Sequence, residues 1–551
     1  MKRHKNKYDS YITRKKPSKK RGEGEPSLFM VGDIETLPYQ MGTDETRSHL
    51  AYAAGYMVVK PGKKPVKGDI RNFYADDYKA NIQDFQERST RMLTDMLEGI
   101  IAEAKKIKRV VTLYFHNLAR FDGLILLRHL ALYHDDWKVV PHIRNSQIYE
   151  ICVSTKTKTK THKILQIRDS CLLFPGKLDD LSQSFCPVVG GKGKIDHEGV
   201  SIERLAKQRD EYLDYLSQDI LLLGHVVQRA QRIFYSEYNI DIVSTLTLSA
   251  LAMAIFRTSY YDDVSHRIYV PNKNADSFIR DGFYGGHADL YIPQGGNLYM
   301  YDVNSLYPYV MGTKDMPGGE PVFWKKDPKN KTSGMELKDM FGFIKALVIS
   351  PTDMERPFLP YRRDDRTLIF PTGKFVGIYF SEELKYAESL NYRVYPLSGY
   401  LFTRMKTPFQ GYVNDLYNRR LEAKKNGELA KAYIQKLLLN SLFGRFAISP
   451  ESTIGKIVSE EEACKIAMEY PGFIDYNKLG DNKYIITYKE CSFDKGDWNP
   501  PTYSAVHISA AITAYARIHM YPYISREDCY YTDTDSIVIK TPLPEEEERL
   551  L

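Results

Sequence analysis

The stretch Leu28-Phe29-Met30-Val31-Gly32-Asp33-Ile34-Glu35 sets the fold of the first half of the chain. It is a short apolar run that ends on two carboxylates, and this pattern predicts a buried strand. Because strand side chains alternate between two faces, Asp33 and Glu35 are expected on the same side. A helical pattern from Ile82 to Lys108 and a second apolar run at residues 110–115 follow. Strand, helix and strand in this order predict an α/β domain.

The composition is typical of a large globular protein. The chain has 551 residues, of which 43% are hydrophobic and 27% charged, and this length predicts about three or four domains. No run of roughly 18 or more apolar residues occurs, so we expect no membrane partner. The six cysteines form no C-x-x-C pair, which argues against a structural zinc site or a disulfide framework. We expect a monomer.

The positive charge is concentrated at the N-terminus. Residues 1–22 hold ten Lys/Arg and one Asp, a charge of +9, so the remaining residues carry −2 of the total of +7. We expect residues 1–26 to form a basic, disordered arm. Such an arm is compatible with a nucleic-acid contact, an anionic surface, a targeting address or a merely solvated tail.

Two further carboxylates accompany Asp33 and Glu35. Asp122 follows the second apolar run, and Asp219 lies on a predicted helix four residues after Tyr215. Converging carboxylates repel each other unless cations neutralise them, and hard cations such as Mg²⁺ prefer oxygen ligands. Two such ions about 4 Å apart can activate a water and stabilise the leaving oxygen of a phosphodiester.

A second set of acids lies in the second half. Asp302 ends a predicted strand, and Asp533 and Asp535 alternate in a predicted hairpin, where they can face the same side. In-line phosphoryl transfer needs positioned reactants and neutralised charge. On a predicted helix, Lys436, Asn440 and Phe443 share one face. That face could hold a triphosphate and an incoming base, and Tyr307 could lie beneath the sugar.

The first set resembles the proofreading 3′→5′ exonuclease of family B DNA polymerases. Asp33-x-Glu35, Asn117-x3-Phe121-Asp122 and Tyr215-x3-Asp219 match its three motifs. The resemblance implies an RNase H-like fold, with Asp33, Glu35, Asp122 and Asp219 as metal ligands and Tyr215 orienting the attacking water. It also implies single-strand contacts by Thr36, Asn117, Phe121 and Ser170. A catalytic lysine is expected at Lys192 or Lys194, with Lys192 preferred.

The second set is similar to the three polymerase motifs of the same family. The segments are Asp302-x-x-Ser-Leu-Tyr-Pro, Lys436-x3-Asn-Ser-x-Phe-Gly and Tyr531-x-Asp-Thr-Asp-Ser. The resemblance implies dNTP substrates and two Mg²⁺ per active site, with Mn²⁺ as an alternative. Asp302 and Asp535 would be the main metal ligands, with Asp533 supporting the metal geometry. The family's second motif has Tyr where this chain has Phe443.

Two shorter segments resemble family motifs that contact the template–primer. Thr513-x-x-Ala-Arg517 is similar to T-x2-A/G-R, and Phe283-Tyr284-Gly285-Gly286 is similar to Y-x-G-G, with Phe in place of the first Tyr. The resemblance implies DNA contacts by Thr513, Arg517, Tyr284, Gly285 and Gly286. The second motif would also help to partition the primer end between the two sites.

Two long insertions between the polymerase motifs resemble those of the protein-primed branch. We expect residues 314–400 to be β-rich and residues 449–502 to be turn-rich and irregular. The resemblance is strongest to polymerases of linear mitochondrial plasmids, with phage polymerases as the alternative. It implies template–primer DNA and a terminal (priming) protein as partners. The expected location is the mitochondrion, or the host cytoplasm for a phage enzyme.

The expected fold class is α/β and α+β multidomain, with an exonuclease domain and a right-hand palm and fingers. The expected segments are an arm 1–26, exonuclease domain 27–243, palm 244–313, insertion 314–400, fingers 401–448, insertion 449–502 and palm 503–551. Only 15 residues follow Ser536, so we expect the thumb to be missing. If its absence cripples polymerisation, the alternatives are an exonuclease alone or a decayed fragment that binds single-stranded DNA.

Overall fold

The computed structural model describes residues 10–16, 25–40, 47–133, 137–156, 161–196, 199–327, 335–480, 482–491, 498 and 500–548. Its helices are α1 Phe85–Ile107, α2 Asp122–Tyr133, α3 Leu178–Phe185, α4 Ile202–Leu205, α5 Arg209–Tyr238, α6 Leu248–Ile255, α7 Lys273–Asp281, α8 Leu306–Thr313, α9 Ser381–Ser389, α10 Gln410–Lys425, α11 Leu429–Phe446, α12 Glu460–Glu469, α13 Val506–Ile524 and α14 Glu545–Glu548. Within the described ranges, no helix combines the length and apolar character that a bilayer crossing requires.

The strands are β1 Phe29–Gln40, β2 Arg47–Val59, β3 Ile70–Tyr74, β4 Val111–Phe115, β5 Trp137–Arg144, β6 Gln147–Lys156, β7 Thr161–Asp169, β8 Ala288–Leu290, β9 Tyr299–Asp302, β10 Met316–Lys325, β11 Gly342–Ile349, β12 Tyr361–Arg362, β13 Leu368–Ile369, β14 Lys374–Phe380, β15 Arg393–Met405, β16 Glu451–Val458, β17 Phe473–Gly480, β18 Lys483–Cys491, β19 Cys529–Asp533 and β20 Ser536–Ile539. The fold is a mixed α/β one, as predicted.

The largest sheet has ten strands in the order β17-β18-β16-β5-β6-β7-β4-β1-β2-β3. Its centre is parallel, since β4 runs parallel to both β1 and β7, and every residue of β4 is buried. α1 and α5 pack against β2. The predicted helix Ile82 to Lys108 begins later, at Phe85, because the Asp84 carboxylate caps it by accepting a hydrogen bond from the Glu87 amide.

The prediction that residues 449–502 are irregular is wrong. They contain β16, α12, β17 and β18, which form an antiparallel unit. The sequence hides these strands because their apolar residues are few. The small core that stabilises them consists of Val458, Ala463, Ile486 and Tyr488. β16 also pairs with β5, so this unit extends the large sheet.

The contact between β16 and β5 depends on Gly455, which lies opposite Ile143. A Cβ at Gly455 would lie 2.9 Å from the Ile143 Cβ, closer than side-chain atoms approach. Gly455→Val should therefore destabilise the chain by about 1–3 kcal/mol and raise amide hydrogen exchange across β16. Thermal unfolding and exchange measurements test this. Gly68→Val is the matched control because a Cβ there meets no atom within 4 Å; equal effects of the two variants would contradict the prediction.

Smaller sheets organise the second half. One has the order β8-β19-β20-β9, and a second has the order β10-β15-β11-β14. The second sheet spans residues 316–405, and most of it lies within residues 314–400, which confirms that this segment is β-rich. Two helices, α10 and α11, follow this sheet, with a turn between them at Gly427, whose φ is +69°.

The basic N-terminal arm is not disordered throughout. Ile12 is only 1% exposed, and its amide donates to the Ile268 carbonyl over 2.9 Å. Tyr11 forms a β-bridge with Tyr269. The expectation of disorder is wrong for residues 10–16, because burial of one apolar side chain and backbone pairing anchor a locally basic segment. The other arm residues, 1–9 and 17–24, lie outside the described residues.

Candidate active sites

The first predicted carboxylates converge on one face of the large sheet. Asp33 and Glu35 come from β1 and Asp219 from α5. One carboxylate oxygen from each lies within 4.8 Å of the other two. Asp122, at the start of α2, lines the same cleft. The two carboxylates of one strand and those of two separate helices therefore lie together, as expected.

Electrostatics show that this cluster fits a cation. The pKa values of Asp33, Glu35 and Asp122 are all raised, first because burial disfavours the charged form and then because the neighbouring carboxylates repel. Oδ1 of Asp122 is buried and has no hydrogen-bond partner among the described residues. Several carboxylate oxygens that face one neighbouring ammonium, that of Lys192, form a ligand set of the kind that Mg²⁺ prefers.

Lys192 is the lysine that reaches the carboxylates. Its Nζ lies 2.8 Å from Oδ2 of Asp219 and 5.3 Å from the centre of the Tyr215 ring. The backbone of this loop is fixed at the same point, because the Lys192 amide donates to Oδ1 of Asp179 over 2.9 Å. Of the two lysines left open by the sequence, Lys192 lines the cleft and Lys194 does not, so this geometry favours Lys192.

The carboxylates line a cleft of about 720 Å³. Thr36, Asn117 and Phe121, which the sequence assigned to single-stranded DNA, line the same cleft. Asn117 adopts a φ of +67°. The backbone amide of Asn117 donates to Oδ1 of Asp169 over 3.0 Å, and this bond holds the loop that follows β4 in place.

Sequence reasoning missed several cleft residues. His49 contacts Phe121 edge-on, with ring centres 5.5 Å apart, and His116 also lines the cleft. Burial lowers the pKa of His116. His116 directly precedes the second motif, so its position could have marked it. His49 comes from β2, and only the pairing of β2 with β1 brings it to the site.

Ser170 does not face the cleft as expected. It is 1% exposed, and its Oγ lies 2.8 Å from Nδ1 of His116. The Ser170 hydroxyl is therefore not open to a strand in this structure, and its predicted contact with single-stranded DNA stays a prediction.

The second set of acids meets at one end of the sheet β8-β19-β20-β9. Asp302 lies opposite Ser536, which in turn lies opposite Asp533. Asp535 is in the turn between β19 and β20, not on a strand as expected, and its carbonyl accepts from the Val303 amide over 2.7 Å. Burial raises the pKa of Asp535, and the charges of Asp302 and Asp533 raise it further. The three acids therefore lie close enough for their charges to act on one another.

Two aromatic rings predicted to bind a nucleotide contact each other beside these acids. The Tyr307 and Phe443 ring centres are 4.4 Å apart at an angle of 49°. Lys436 and Asn440 are exposed on the same helix, α11. The charges of Asp535 and Asp533 act on the Tyr307 hydroxyl, so the ring pair borders the acidic cluster.

Three residues predicted to contact the template–primer are buried instead. Thr513 and Arg517 are each 2% exposed and Tyr284 is 3% exposed. All three nitrogens of the Arg517 guanidinium donate to protein groups, namely Glu383 and the carbonyls of Tyr284 and Gly285. These side chains are therefore enclosed by protein in this structure, and their predicted contacts with the template–primer stay predictions. The backbone at Gly285 is exposed, and Gly286 packs against the turn of the acidic hairpin.

The sequence matches the profile of the family described as DNA polymerase type B, organellar and viral, over residues 103–208 and 201–529. A probable DNA polymerase of Podospora anserina is 32% identical over 466 residues, covering 75% of this chain and 38% of that relative. One of Neurospora intermedia is 32% identical over 483 residues, covering 79% and 48%. The chain thus spans less than half the length of these two curated relatives.

The fold is shared with a solved polymerase structure. Phi29 DNA polymerase complexed with primer-template DNA aligns with a TM-score of 0.66 at 18% identity. The alignment covers 95% of this chain and 81% of that one. The DNA polymerase of Bacillus phage M2 is 27% identical over 467 residues, covering 79% of this chain and 72% of the relative.

Proposed function

Because this chain belongs to the organellar and viral type B DNA polymerases, we propose that it extends DNA primers on a DNA template and removes nucleotides from 3′ ends at a second site. The observation that carries the proposal is the presence of two separate carboxylate clusters, on two different sheets. In this proposal residues 27–243 are the RNase H-like exonuclease domain. The palm is formed by 244–313 and 503–551, and the fingers by 401–448.

At the polymerase site, Asp302 and Asp535 would hold Mg²⁺, with Asp533 beside them. When bound, the ions would neutralise the triphosphate and activate the primer 3′-hydroxyl for in-line attack. Lys436 would pair with the triphosphate, Phe443 would pack on the incoming base and Tyr307 would exclude a 2′-hydroxyl. Contact between the last two rings supports a shared role in shaping one nucleotide pocket.

At the exonuclease site, Asp33, Glu35, Asp122 and Asp219 would hold Mg²⁺, which supplies an activated water. Lys192 lies beside both Asp219 and Tyr215. From there it can neutralise the charge that develops on the scissile phosphate, while Tyr215 orients the water. Thr36, Asn117 and Phe121 would hold the single-stranded 3′ end, with His49 supporting the Phe121 ring.

The partners follow from the same family. Template–primer DNA is the proposed substrate, and a terminal protein is the proposed priming partner. Residues 314–400 and 449–502 are the candidate regions for contacting the terminal protein and the template. The proposed location is the mitochondrion, with the gene on a linear plasmid. A viral origin is the alternative, because phage polymerases are also similar to this chain.

A primer gel tests the two activities together. The purified chain is mixed with a 5′-labelled primer on a longer template and Mg²⁺, with or without dNTPs. We expect lengthening with dNTPs and shortening without them. Shortening in both lanes would reject the polymerase proposal and leave an exonuclease. No change in either lane would reject both.

Lys192 gives a sharper test of the exonuclease site. Lys192→Met removes the charge next to Asp219 and should slow excision by roughly 10²-fold, the usual effect of deleting one stabilising donor. Extension should be unchanged, because Lys192 is not among the residues around the second acidic cluster. Lys194→Met is the matched control, and excision is measured as single-turnover decay of a labelled oligonucleotide. An equal loss with both variants would contradict the assignment.

A further inference from the structure

A buried ion pair joins the insertion at residues 314–400 to α13. Nε and Nη2 of Arg517 donate to the two carboxylate oxygens of Glu383 over 2.7 and 3.0 Å. The two side chains are only 2% and 1% exposed. Buried ion pairs add little net stability compared with apolar packing, whereas breaking one leaves a costly unpaired charge. We therefore ask which parts of the structure this ion pair holds in position.

The remaining donor of Arg517 fixes a loop. Its Nη1 donates to the carbonyl of Tyr284 over 2.9 Å and to that of Gly285 over 2.6 Å. The next residue, Gly286, packs against the turn at Thr534, where a Cβ would lie 2.5 Å from Thr534 Oγ1. Thr534 stands between Asp533 and Asp535, and its amide donates to the His287 carbonyl. The guanidinium therefore holds a loop that supports the acidic turn.

The insertion contributes the other contacts of this loop. Nη2 of Arg362 donates to the Phe283 carbonyl over 2.7 Å. The Tyr379 ring stacks on the Tyr284 ring, with centres 5.7 Å apart. The loop at residues 283–286 is thus held between α13 and the insertion, and it reaches the acidic turn on its far side.

We propose that Glu383 is a positioning residue for polymerisation, acting through Arg517 and the loop at residues 283–286 on the turn that carries Asp533 and Asp535. This inference rests on the proposed function. Its consequence is that an insertion helix, α9, controls the geometry of the acidic cluster without touching a substrate. With an uncharged residue at position 383, the buried guanidinium of Arg517 would lose its charged partner. The loop at residues 283–286 would then shift.

The test is Glu383→Gln in the full chain, which keeps the side-chain shape and removes the charge. Displacing reacting groups by about 1 Å can cost on the order of 10²-fold in rate, so extension should fall by roughly tenfold to 100-fold. Excision of single-stranded DNA by the same preparation should stay within about twofold, because the exonuclease cleft shares no residue with this network. The ratio of extension to excision is therefore the decisive quantity.

The matched control is Asp76→Asn, which breaks the buried ion pair between Arg88 and Asp76 on the exonuclease side. This control should lower thermal stability without changing extension relative to excision. A second variant, Gly286→Ala, tests the same path, and its effect on extension should be non-additive with that of Glu383→Gln.

Two results would overturn the inference. One is an equal loss of extension and excision in Glu383→Gln, which would show a purely structural role. The other is an unchanged ratio while the wild-type chain extends primers normally. A wild-type chain that does not extend primers would reject the proposed function instead, so the two failures are distinct.

Discussion

Replacing Asp535 with alanine is expected to abolish primer extension and to leave excision intact. Asp535 lies in the hairpin turn directly after β19, which ends at Asp533. Burial raises the pKa of Asp535, and the charges of Asp302 and Asp533 raise it further. Metal-borne charge stabilisation is worth several kcal/mol, and a loss of about 4 kcal/mol is roughly 10³-fold in rate. The first cluster of carboxylates lies on β1, α2 and α5, so the substitution should leave excision unchanged.

The measurement is single-nucleotide incorporation on a primer–template, with oligonucleotide decay measured in parallel. Asp353→Ala is the control for removing an acid, because Asp353 is exposed and belongs to neither cluster. Parallel loss of extension and excision in Asp535→Ala would mean that the two clusters form one functional site, contrary to the proposal.

Asp33→Ala should have the opposite effect, with excision reduced by roughly 10³-fold and extension retained. A carboxylate oxygen of Asp33 lies within 4.8 Å of one from Glu35 and one from Asp219. Alanine at this position removes one of these three oxygens. The variant should also be no less stable than wild type in EDTA. Burial and repulsion raise the pKa of Asp33, so a charged carboxylate there opposes folding when no cation is bound.

Oligonucleotide decay and thermal unfolding in EDTA and in Mg²⁺ measure these effects. Glu98→Ala, an exposed acid on α1, is the control. Excision that survives Asp33→Ala would place the metal elsewhere. A clear fall in stability without metal would show that the carboxylate has a structural partner.

The sequence predicted those parts of the sites that depend on local spacing. Asp33 and Glu35 share a strand face, and Lys436, Asn440 and Phe443 share a helix, so each set follows from one element's periodicity. The contact of Tyr307 with Phe443 joins different elements, yet each ring lies within a recognisable motif.

The sequence could not predict what depends on long-range packing. Arg517 and Thr513 occupy positions that a motif assigns to DNA, but both are buried, and Arg517 is held by Glu383 of the insertion. His49 reaches the cleft only through strand pairing. Ile12 is one apolar residue among cations, and its burial depends on the distant backbone at Ile268. Such features are fixed by tertiary contacts that leave no local pattern.

The pairing of β16 with β5 has a consequence for separating the two halves of the chain. β16 pairs with β5 at Ile143 and Arg144, and without β16 this end of β5 would be an open strand edge. Exposed strand edges recruit other chains and promote aggregation. A fragment that ends before residue 449 would therefore expose the backbone of Ile143 and Arg144 to pairing with other chains, beyond the part of β5 that Lys138 and Pro141 already make unfavourable for pairing. We expect the unit at residues 449–502 to limit such association by covering this end of the strand.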